Sequence, residues 1–127
     1  MYLIDCVNAY MAAVQMGQKE TDYQTAFALM KVKRQLQSSM DFLTEQEMKL
    51  AEKYAEKDEA GRIKWTKPGT FRFRDEEAAE SYKKEREAIC RTKVDETFDR
   101  QHAPAPEYIT AAQLEALEPF ISFGGEL

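Results

Sequence analysis

Residues 21–57 contain neither glycine nor proline, and this stretch limits what the chain can fold into more than any other. Its stripe of apolar positions, running from Phe27, Leu29 and Val32 through Leu36, Met40 and Leu43 to Leu50 and Tyr54, is that of an amphipathic helix. Thr21 and Gln24 stand three apart at its start, the spacing of a capping box. A helix of this length extends about 54 Å. A globule of 127 residues has a radius of gyration of about 14 Å. An unbroken helix would therefore project from the body or lie beside a second chain. Thr44 and Glu47 could cap a second helix, but nothing nearby forbids the first from continuing, so a single helix is expected.

Leu29, Leu36, Leu43 and Leu50 fall seven apart, the spacing of a leucine zipper. A paired seam also needs apolar companions three or four positions beyond each leucine. Here those positions hold Ser39, Gln46, Lys53, Lys33 and Glu47 among apolar residues. Burial against the chain's own helices is the simpler expectation, and the four leucines stand as the candidates for self-association.

The flanking segments are shorter. Ile4, Val7, Met11 and Val14 trace a helix that Gly17 stops. Asp75 precedes Glu76 and Glu77, an N-cap with an acidic first turn, and opens a helix to about Ile89. Ala78, Tyr82 and Ile89 are its sparse apolar face. Cys90, Thr92, Val94 and Phe98 alternate with polar residues and suggest an edge strand over about 91–98. "APAPE" at 103–107 is a stiff connector. Thr110 and Gln113 then form a capping box, with Ile109 and Leu114 placed as a hydrophobic staple. Leu114, Leu117, Phe120 and Ile121 would supply the buried side of this last helix, which Pro119 keeps short or bends.

"GRIKWTKPGTFRFRD", residues 61–75, reads differently. Ile63, Trp65, Phe71 and Phe73 alternate with Arg62, Lys64, Arg72 and Arg74 about a central Pro68-Gly69. That is a β-hairpin over about 62–74 closed by a type II turn. Lys67 makes five cations against Asp75 alone, so the rest of the chain must carry −9 to reach the net charge of −5. Arg62, Lys64, Lys67, Arg72 and Arg74 are thus the candidates for contact with a partner or with nucleic acid. Alternation places the aromatics and the cations on opposite faces, whereas a base-stacking platform wants them on one. Nucleic acid is therefore the alternative, and a solvated face or a protein partner the first expectation.

Hydrophobic content of 43% with 32% charge is that of a globular chain of one domain, 1–127. No apolar run approaches a membrane span, and no basic region precedes the first apolar stretch as in a secretory signal. Cys6 and Cys90 form no CxxC pair and read as reduced thiols of a cytoplasm. Phosphate loops, nucleophile elbows and HExxH are missing, and a single histidine excludes multi-histidine metal sites. Asp95, Asp99 and His102 would share a face on a helix and could there hold a divalent metal, but a strand would scatter them. The expectation is a non-catalytic protein with no cofactor and no metal.

In chain order, "LIDCVNAYMAAVQM", "YQTAFALMKVKRQL", "LAEKYAEKDEAGRI", "ESYKKEREAI", "KVDETF" and "ITAAQLEALEPFI" resemble a family of small uncharacterised proteins encoded by tailed phages and prophages of Gram-positive bacteria. The resemblance spans nearly the whole chain and carries a domain-of-unknown-function label. It implies phage or prophage origin and expression in the host bacterial cytoplasm, and it assigns no functional residue. Together these readings give an α+β, mainly helical protein that binds another protein. It would be either an assembly or tail-associated component or a small inhibitor of a host defence or nucleic-acid-handling machine.

Overall fold

The computed structural model describes residues 1–124. The protein is α+β and mainly α, with helices α1 (Leu3–Gly17), α2 (Tyr23–Tyr54), α3 (Glu76–Cys90) and α4 (Ala111–Leu117). Its strands are β1 (Trp65–Lys67), β2 (Thr70–Phe71), β3 (Gln101–Ala103) and β4 (Ile121–Phe123). Two compact units form, one from Met1–Met40 with Lys93–Leu127 (described to Gly124), the other from Asp41–Thr92. Each unit has buried apolar residues of its own.

α2 runs unbroken past Ser39 and Thr44, as expected where no residue forbids it. Its N-cap is Asp22 and not Thr21: Asp22 Oδ1 accepts from the Thr25 N–H at 2.9 Å, and Oδ2 accepts from the Thr25 hydroxyl at 3.0 Å. The helix ends short of Lys57 because the next residues find extended partners. The Glu56 N–H donates to the Arg72 carbonyl at 2.8 Å, and the Glu56 carbonyl accepts from the Lys64 N–H at 3.0 Å. Long-range backbone bonds here outweigh helix propensity, which is only a weak prior.

In the first unit, Leu29, Val32 and Leu36 pack with the small residues of α1 and with Leu117, Phe120 and Ile121. The buried side of α1 includes Cys6, Ala9, Ala13 and Met16. Of the expected stripe only Val7 is fully buried, and Met11 is exposed. The helix is apolar nearly all round, so apolar spacing alone does not choose its face. Small alanines let a neighbour approach closely, and they set the choice.

β3, α4 and β4 form a miniature β-α-β unit in the first unit: the strands pair in parallel, Gln101 opposite Ile121 and Ala103 opposite Phe123. The strand expected at 91–98 does not form. From that stretch only Lys93 makes a bridge, to Tyr2, while Val94 and Phe98 pack half-buried on the core. Extended structure needs a partner, and the partner lies beyond Pro119, where the apolar residues read as helix. The Thr110–Gln113 capping box closes as expected, each bond at 3.1 Å. Leu114, however, points to solvent instead of completing a staple.

In the second unit, Leu50 and Tyr54 pack with Ala78, Phe73, Tyr82 and Ile89, while Ala51 and Ala55 pack with Ile63 and Phe71. Asp75 caps α3 by accepting from the Ala78 N–H at 2.7 Å. β1 and β2 are antiparallel about Pro68-Gly69, with Gly69 at φ +77° as the third position of a type II turn demands. The residues flanking this short ribbon, 62–64 and 72–74, leave each other to pair with 54–58.

Candidate functional site

The hairpin cations lie on the second unit and are all exposed. Two are engaged: Lys64 Nζ stands 3.3 Å from Glu56 Oε1, and Arg74 Nη1 donates to the Lys53 carbonyl at 3.1 Å. Arg62, Lys67 and Arg72 make no ion pair among the described residues. Alternation holds for Ile63, Phe71 and Phe73, which turn inward, but Trp65 stays 45% exposed on the cationic ribbon. Its ring touches Phe71 edge to face at a centroid distance of 6.0 Å.

The leucines considered for self-association are core residues. Leu29, Leu36, Leu43 and Leu50 are all buried within this single chain, so none is left to form a seam with a second copy. Asp95 and Asp99 lie in irregular chain and His102 on β3. Among the described residues no group of three or more His, Cys, Asp or Glu side chains could hold a metal ion. Cys6 and Cys90 are buried free thiols, and burial pushes the Cys6 thiol up, away from its reactive thiolate form.

The feature that sequence reasoning missed is an open apolar groove of about 1110 Å³ in the first unit. One wall is the N-terminal part of α2, presenting Tyr23, Phe27 and Met30 at i, i+4 and i+7. The other wall is the chain from His102 to Ala105, at the end of β3. Tyr23 is 81% exposed and Phe27 53% exposed, large aromatic areas to leave in water. Lys31 Nζ lies 4.7 Å from the Phe27 ring centroid and adds positive charge at the wall. None of the ten residues lining the groove is acidic.

Phe27, expected in the buried stripe with Leu29 and Leu36, is instead exposed: at 100° per residue it shares a side of α2 with Tyr23, away from those leucines. The opposite wall had no signal in the sequence, because β3 depends on its pairing with β4. No helix among the described residues is long and apolar enough to cross a membrane. No family model, curated protein or solved structure matches this chain.

Proposed function

We propose that this is a non-catalytic protein whose work is to bind another protein. It would be encoded by a phage or prophage, made in the host cytoplasm, and act as an assembly or tail-associated component or as an inhibitor of a host machine. The origin rests on the resemblance of its segments alone. The binding reading rests on one observation, the groove in which Tyr23 and Phe27 lie uncovered beside an extended segment. Exposed aromatics clustered in a concavity are typical anchors of protein recognition.

Capture from a lysate of a Gram-positive host tests this. The wild-type chain should retain a specific protein that a Tyr23→Ala/Phe27→Ala variant does not. Retention of nothing, or of the same proteins by both chains, contradicts the reading.

Trp65 favours a second reading. An exposed indole beside Arg62, Lys67 and Arg72 could stack on an unpaired base while the cations meet phosphates. Such binding would give a low-salt gel shift that is lost when Arg62, Lys64, Arg72 and Arg74 are reversed to glutamate. No shift at low salt removes this reading.

A further inference from the structure

We infer that the groove is a strand-addition site for an extended segment of a partner protein in which apolar residues alternate with acidic ones. The inference rests on the binding reading above and specifies the partner's chemistry.

The first observation is which residues line the groove. On one wall they are four consecutive ones, 102–105, with Gly124 beside them just past the end of β4. Side chains of an extended chain alternate between faces, so a groove lying on one face would meet every second residue. Consecutive lining residues, of which His102 and Ala103 belong to β3, fit a groove that reaches the backbone at the end of this strand. The hydrogen bonds agree. The Gln101 N–H donates to the Phe120 carbonyl and the Gly124 N–H to the Ala103 carbonyl, each at 2.8 Å. Gln101 and Ala103 therefore turn their backbone groups toward β4. His102, between them, must turn its N–H and carbonyl to the opposite edge. The sheet has only two strands, so no third strand pairs with this edge among the described residues.

An added strand would pair with His102 and set its side chains against Tyr23, Phe27 and Met30 across the slot. Pro104, one residue past the end of β3, offers a carbonyl but no N–H. The ladder is therefore short, and the edge is guarded against open-ended pairing.

Charge selects the occupant. The groove is lined without acids, Lys31 lies over Phe27, and Arg34 stands exposed one turn beyond Met30 with no ion pair among the described residues. A second copy of this chain, pairing through its own β3, would bring another Lys31 and Arg34 toward the same place. Like charges would then meet. Acidic residues spaced along an apolar strand complement the slot instead.

Fluorescence anisotropy with two labelled nonapeptides tests this, one alternating valine with glutamate and one alternating valine with lysine. The glutamate peptide should bind and the lysine peptide should not. Phe27→Ala and His102→Pro should each weaken binding about tenfold or more, the second by removing the outward N–H. A glutamate peptide with N-methylated valines, which cannot complete the ladder, should fail on the unaltered protein, so the result does not depend on a variant folding. Lys31→Glu/Arg34→Glu should exchange the preference between the peptides.

Equal binding of both peptides, or binding indifferent to N-methylation and to Phe27→Ala, overturns the inference. So does a dimer by light scattering that His102→Pro dissociates, which would make a second copy the occupant. If neither peptide binds while the wild-type chain still retains a protein that the Tyr23→Ala/Phe27→Ala variant loses, strand addition falls and the binding reading stands.

Discussion

The Gln35 side-chain amide pairs with the backbone of Asp99 as another strand would, accepting from its N–H at 2.8 Å and donating to its carbonyl at 3.1 Å. Two bonds thus tie α2 to the chain just before β3, and so help fix the distance between the walls of the groove. Gln35→Ala should cost about 1 kcal/mol, and Gln35→Glu, which keeps only the acceptor, somewhat less. Denaturant titration measures both. Amide exchange at Asp99 should quicken in the alanine variant.

Leu36 is fully buried in the first core and Leu114 is exposed, although both are leucines on apolar stripes. Leu36→Ala should destabilise by about 2–5 kcal/mol, through lost transfer energy and a residual cavity. Leu114→Ala should cost less than about 0.5 kcal/mol. Light scattering should give the same mass for the wild-type chain and both variants, because Leu36 faces its own core and no second copy.

Gly69 and Gly17 separate two roles of glycine. A Cβ at either would meet nothing within 4 Å, but Gly69 sits at φ +77° and Gly17 does not lie in the left-handed region. Gly69→Ala should therefore cost about 1–2 kcal/mol from backbone strain alone. Gly17→Ala should be neutral or stabilise by up to about 1 kcal/mol by restricting the unfolded chain. Thermal melts distinguish the two directions.

Asp22 gives the α2 start a pH dependence. The hydrogen bond from the Thr25 backbone N–H, foremost, holds its carboxyl below the usual carboxylate range. Folding therefore favours the ionised form. Its contribution is complete above about pH 4, the unfolded value, and is lost as pH falls through the lower folded value. Melting temperature should drop on acidification in this window, and Asp22→Asn should flatten part of that drop.

Elements specified by neighbours in sequence were legible before the fold was known. The capping box at Thr110, the cap at Asp75, the turn at Pro68-Gly69 and the unbroken long helix depend on residues a few positions apart. Elements specified by distant partners were not. β3 exists through residues 121–123, and α2 stops where Glu56 meets Arg72 and Lys64. The groove inherits both kinds: Tyr23 and Phe27 could be placed on a helix from their spacing, while the opposing edge at His102 required the β3–β4 pairing.

Hydrogen exchange at two adjacent amides tests the open edge of β3 most directly. The Ala103 N–H, turned toward β4, should be protected, while the His102 N–H should exchange at nearly the rate of an unstructured amide. Equal protection of the two would mean that the edge beside the groove is already covered, and would contradict the account.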